Sequence, residues 1–190
     1  MLLFILIPLI IALCQGYSLR RLLTAIELLP LGITCIVHAV FIIFAWCGDH
    51  SFVQYADWVQ RAMILSLIPP ILRHTLAKPA LIGTAMTLVG TAMNHIVIDA
   101  NGGKMPVYPT LSKWIGYVDV AQLDGSIDSF HVLLNESSKL PFLADYIDLG
   151  VCIISAGDVL IHAFASIVLY YTIKTICPQK ENTLERQTAQ

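Results

Sequence analysis

The residues of this chain that could do chemistry are few, and they sit where an apolar sequence is least hospitable to them. Asp158 lies inside the run DLGVCIISAGDVLIHAFASIVLYYTIK, and His162 follows four residues later, so a helix places both on one face. Such a pair would relay protons, bind a cation or simply satisfy itself. With Asp148 near the outer surface, Asp158 is expected about ten residues further along, roughly 15 Å deep at the rise of a helix. A carboxylate at the centre of a spanning helix costs about 2.5–3.5 kcal/mol, so it must be paired, protonated or wetted by a cavity. His95 and Asp99 repeat the i, i+4 spacing, and His131 would complete a metal set with them. No HExxH or comparable zinc signature accompanies them, so neither a metal nor a cofactor is expected.

A second polar cluster, NGGKMP, follows the run LIGTAMTLVGTAMNHIVID. Asn101 and Gly102 suit the left-handed turn that ends a helix, Lys104 complements the negative helix end, and Pro106 prevents resumption. Gly103 is left over by this account. Consecutive glycines can present backbone N–H groups as an anion nest, which Lys104 would reinforce. Within the preceding run Gly83, Thr87, Gly90 and Asn94 share a face, a small-xxx-small pattern that lets another helix approach closely. Thr87, Thr91 and Asn94 also form a lane of polar groups leading toward Asp99, and His38, alone in its run, reads as a packing histidine.

The elements that must position these groups are set by composition. Hydrophobic residues make up 57% of the 190 residues and charged ones 13%, about half the charged share of an ordinary soluble domain. An all-α integral membrane domain over residues 1–177 is expected, followed by a polar cytoplasmic tail, 178–190. Apolar runs at about 1–14, 28–47, 58–72, 79–98 and 149–173 predict five helices, because backbone groups in lipid must be satisfied within their own segment. The first run is short, and it reads as a retained span, having no positive residue ahead of it and no small-x-small cleavage site. Pro69 and Pro70 should bend or end the third span.

Arg20 and Arg21, then Arg73 and Lys78, then Lys174, Lys180 and Arg186 mark alternate connections as cytoplasmic, which predicts the N-terminus outside and the C-terminus inside. The long segment 100–146 then faces outward. In it Leu111, Trp114, Ile115 and Val118 have helical spacing, which predicts a short amphipathic helix at the interface. The net charge of −2 offers no basic face for nucleic acid. The expected partner is the lipid bilayer, with a homo-oligomer or a membrane partner subunit beside it. Five cysteines without CxxC spacing read as packing residues.

The blocks NHIVIDANGGKMPVYP, SFHVLLNESSKLPFLADYIDL and SAGDVLIHAF together resemble a bacterial family of small multi-pass membrane proteins, domain of unknown function 5317. Its pattern is an NGGKMPV loop, a histidine before a leucine-rich turn, an LxD element and an SxGD motif in the last helix. The resemblance marks Asn94, Asn101, Gly102, Gly103, Lys104, Met105, Pro106, His131, Leu143, Asp145, Ser155, Gly157 and Asp158. It implies the bacterial plasma membrane and brings no activity with it. The spacer from Trp114 to Phe130 departs from the pattern.

Most of the chemically costly residues fall in these blocks. The outer segment is therefore expected to fold back so that NGGKMP, His131 and Asp145 cap a cleft floored by Asp158. The leading expectation is the binding, or assisted transport, of a small polar or lipid-headgroup ligand at an outward-facing pocket. An alternative is a membrane-embedded enzyme acting on a lipid-linked substrate. There Lys104 would hold an anionic group, His131 would act as acid or base, and Asp145 or Asp158 would orient it. A third is a structural subunit of a membrane complex.

Overall fold

A computed structural model describes residues 2–47, 51–52, 55–117 and 130–179. Two compact units emerge, Met1–Thr84 with His162–Gln190, and Ala85–Ile161. Helices α1 (Leu2–Cys14), α2 (Leu29–Trp46), α3 (Ala56–Leu65), α4 (Ile68–Arg73), α5 (Ala77–Ala100), α6 (Leu111–Trp114) and α7 (Ala156–Ile176) account for most of the described chain. Among the described residues, three segments are long and apolar enough to cross a membrane: Ile26–Trp46, Ala77–Ala100 and Ala156–Ile176. Large apolar side chains on their surfaces stand exposed, among them Ile36, Ile43, Leu81, Leu88 and Val89, a pattern that water penalises and hydrocarbon does not. Helix α1 is equally apolar but only 13 residues long.

In the first unit, Ile5, Ala12, Met63, Leu67, Val168 and Ile173 bury one another in a common core. Polar ties at its edge fix the ends. The Ser166 hydroxyl donates to the Phe4 carbonyl at 2.6 Å and Tyr170 Oη to Gln15 Oε1 at 2.7 Å. Glu27 takes a 2.7 Å contact from His74, with Arg73 at 3.7 Å. The expected continuous span 58–72 is broken: α3 stops at Leu65 and α4 begins at Ile68. Pro69 and Pro70 lack the N–H groups that would continue α3, and they occupy the first turn of α4, where those groups are unneeded.

The second unit departs from the all-α expectation. Among its described residues, four short strands pair into two small sheets: β1 (Met105–Val107) lies parallel to β2 (His131–Leu133), and β3 (Ile147–Asp148) lies antiparallel to β4 (Ile153–Ile154). Three-residue strands are too short to leave a periodic signature. A bridge from Val107 to Asp145 extends β1 on its other side. Pro106 is tolerated between these neighbours because ladder bonding on the Asp145 side begins with its own carbonyl, which accepts the Asp145 N–H at 2.9 Å.

The run expected to span from 149 to 173 becomes helical only at Ala156, because the β3–β4 hairpin takes its first part. Asp158 therefore lies in the first turn of α7, not ten residues into a helix. The predicted surface helix is present as the single turn of α6, with Trp114 largely exposed; Val118 lies outside the described residues.

Backbones of α5 and α7 approach closely where both carry glycine. A Cβ built on Gly90 would collide with the Gly157 carbonyl oxygen, and one on Gly157 with the Asn94 side-chain amide. Gly90→Ala and Gly157→Ala should each destabilise the protein by about 1–3 kcal/mol, the usual range for overpacking. Gly32→Ala, in a helical position with open space around it, should be neutral or slightly stabilising. Denaturation midpoints of the three variants in detergent check this.

Candidate functional site

Two polar clusters occupy the second unit, and they differ in how well their groups are satisfied. The first joins the C-terminal half of α5 to the start of α7. Asn94 Nδ2 donates to Asp158 Oδ1 at 2.8 Å, and the Ser155 hydroxyl donates to Asn94 Oδ1 at 2.9 Å. The Asp158 N–H donates to Ser155 Oγ at 3.0 Å, while the Ser155 N–H donates to Asp158 Oδ2 at 3.1 Å. The last two bonds are a capping box with aspartate in the acidic position, which satisfies two N–H groups at the helix start. The carboxylate also complements the positive end of the helix dipole. Each Asp158 oxygen has a donor. The SAGD sequence carries the box's signature, serine followed three residues later by an acid ahead of an apolar run, a signal not used in placing Asp158.

The second cluster centres on Asp145. Its backbone is held by β1 on both sides of its peptide, Asp145 N–H to Pro106 O at 2.9 Å and Tyr108 N–H to Asp145 O at 2.8 Å. That pairing turns the carboxyl inward, leaving the residue 6% exposed. Asp145 Oδ2 lies 3.9 Å from Nε2 of His131, beyond hydrogen-bond length. Asp145 Oδ1 is buried and has no hydrogen-bond partner among the described residues. Burial, and then the negative charge of Asp158, push the Asp145 carboxyl up to about 8. His131 is half-buried and pairs in register with Met105 across the β1–β2 ladder.

NGGKMP is mainly a helix stop and a clasp. The Gly103 N–H bonds the Ile98 carbonyl at 2.9 Å and the Gly102 N–H reaches the Asp99 carbonyl at 3.4 Å, the two bonds of a Schellman ending. Both glycines have positive φ, +69° and +85°, which accounts for the second glycine. Their N–H groups face helix carbonyls, so they do not form the anion nest expected from the sequence. Asn101 Nδ2 donates to the Val97 and Lys139 carbonyls at 2.7 and 2.9 Å, and its Oδ1 accepts the Lys139 N–H at 2.8 Å. This ties the helix end to a loop 38 residues on. Lys104 makes no ion pair among the described residues; it stands two positions before Pro106, whose carbonyl holds Asp145. Met105 and Pro106 contribute backbone and burial.

The structure thus groups Asn94, Ser155 and Asp158 in one network and sets Asp145 and His131 beside β1, close enough for the two carboxyls to feel each other. Asn101, Gly102 and Gly103 form a separate helix ending. His95 and Asp99 are exposed, and no group of three metal-ligating side chains occurs among the described residues. His162 belongs to the first unit, where its ring packs tilted against that of Phe4, centroids 5.1 Å apart.

One organising acid escaped the sequence reading. Asp148 Oδ2 accepts the N–H groups of Thr110 and Ser112 and the Ser112 hydroxyl at 2.7, 2.9 and 2.7 Å, anchoring α6. Burial would raise its carboxyl, but these bonds and the Gly150 N–H outweigh it and hold it below the usual value. Its partners at the start of α6 lie 36 to 38 residues away, so no local spacing reveals them.

A family model described as "Family of unknown function (DUF5317)" matches residues 3–170. An uncharacterized protein of Thermotoga maritima is 32% identical over 98 residues, 48% of this chain and 52% of the relative, so the chain spans about half the length of the curated relative it matches. No solved structure matches.

Two outcomes follow from the site. Asp145 is protonated in the folded state up to about pH 8 but ionises near 4 when unfolded. The folded state therefore holds the extra proton across that window, and stability should fall as pH rises from about 4 to 8, then level off. In Asp145→Asn this component of the slope should vanish in denaturation midpoints measured against pH. Ser155→Ala, which removes the cap and the donor to Asn94, should cost about 1–2 kcal/mol, read from the midpoint at constant pH.

Proposed function

This chain belongs to DUF5317, a family of unknown function, and from that premise we propose that it is a multi-pass plasma-membrane protein. In this reading it binds a small polar or lipid-headgroup ligand at an outward-facing site around Asp145. The observation that carries the proposal is the buried carboxyl whose Oδ1 lacks a partner, beside a half-buried histidine that gives onto solvent. A buried unsatisfied acceptor costs about 1–3 kcal/mol, and a bound donor relieves that cost. Three helices of spanning length support the membrane assignment. α1 and the broken pair α3–α4 would complete five crossings, and the basic residues at alternate connections support an outward strand-bearing segment.

A structural reading is favoured for one part of this region. The Asn94–Ser155–Asp158 network is closed upon itself, so Asp158 acts as a positioning group that joins two helices and sets the field at Asp145.

The two roles separate by experiment. Asp145→Asn should retain folding and lose ligand or co-purifying lipid, whereas Asp158→Asn should lower stability first. Mass spectrometry of bound small molecules, together with denaturation midpoints, reads both. A parent protein that carries and binds no polar ligand would overturn the site; loss of fold without loss of ligand in Asp145→Asn would make that residue structural as well. Labelling of a cysteine introduced at position 136 after replacement of the five native cysteines, reactive from outside in intact cells, would support the orientation.

A further inference from the structure

We propose that the Asp145 site binds the ammonium group of a primary amine, free or as a lipid headgroup, in exchange for the proton of the Asp145 carboxyl. This rests on the outward polar site proposed above and names its ligand class. Asp145 is 6% exposed, and its Oδ1 is a buried acceptor without a donor among the described residues. Oδ2 is too far from His131 Nε2, at 3.9 Å, for a hydrogen bond. The site therefore needs N–H or O–H groups from elsewhere.

Charge selects among candidates. Asp158, facing from the start of α7, keeps a second carboxyl near Asp145. Its oxygens are already engaged with Asn94 and the Ser155 N–H, so it contributes field more than bonds. That field repels anions and adds nothing for a neutral hydroxyl, whereas it attracts a cation. Among the described residues, other titratable groups around it include His131 on β2, Tyr108 just after β1, the adjacent Tyr146, Lys104 just before β1, and Cys152 and Asp148 on the β3–β4 hairpin. Asp148 is committed to α6. A quaternary ammonium has no N–H for Oδ1, so a primary amine fits better.

The exchange balances: the carboxylic acid and R–NH3+ give a carboxylate–ammonium pair and one released proton, with no change in oxidation state. Because the carboxyl holds its proton to about pH 8, apparent affinity should rise up to tenfold per pH unit from about 6 to 8 and level off above.

The test uses the full chain in phosphatidylcholine nanodiscs and calorimetric titration with ethanolamine, choline and inorganic phosphate. Support is ethanolamine binding with close to one proton released at pH 6.5, choline at least tenfold weaker, and at least tenfold loss in Asp145→Asn. If that variant fails to fold, the proton count on the parent decides alone. Added phosphatidylethanolamine that blocks ethanolamine would identify a lipid source, and unblocked binding a free amine. Equal choline binding, or binding without proton release, overturns the proposal. So does a pH dependence abolished by Lys104→Gln without added amine, since the protein would then supply its own cation. Phosphate binding without ethanolamine binding overturns the ammonium assignment and leaves an outer polar site standing; binding of no probe, with no co-purifying polar ligand, removes both.

Discussion

The second unit depends on hydrogen bonds between Asn94 and the Ser155–Asp158 turn. A carboxylate in an apolar protein is affordable only where its oxygens have donors, and here a helix start and one amide supply them. The same contact brings the α5 and α7 backbones together at Gly90 and Gly157, where no side chain would fit. Asparagine at 94 suits this place because its amide donates through nitrogen and accepts through oxygen in one planar group. Neither leucine nor aspartate could do both.

From that contact the remaining geometry follows. With α7 starting at Ala156, the preceding residues are free to form a hairpin, and Asp148 within it anchors α6. β1, leaving the other helix through the two-glycine turn, then holds Asp145 by its backbone. One acid is fully bonded and its neighbour is not, although both sit in one short stretch of chain. The difference is in their donors, as burial alone would trouble both. A saturated carboxylate beside an unsaturated carboxyl separates a scaffold from a place where something can bind.

Much of the helical framework was legible in the sequence, because long apolar runs leave few alternatives in lipid. The break at Pro69–Pro70 and the stop at Asn101–Gly102 are local chemistry and were read as such. Counting residues from Asp148 to Asp158 as one helix fails, because β3 and β4 form there and α7 starts only at Ala156. The strands were invisible for a related reason: two or three residues cannot establish a period, and β1 pairs with a strand 26 positions later. Gly103 carried an anion-nest reading, whereas the observed positive φ answers to helix termination. The role of Asp148, and the contrast between Asp145 and Asp158, arise from groups far apart in sequence, which spacing rules do not reach.

The separation between Asn94 and its partners bears on how the protein is made. Asn94 waits for residues 61 and 64 positions later, roughly 3–13 seconds of synthesis at usual elongation rates. Throughout that interval its amide lacks the hydroxyl and carboxylate that will satisfy it. A nascent chain stalled before residue 155 would therefore carry an Asn94 amide without these partners, an unsatisfied polar group for quality control to recognise.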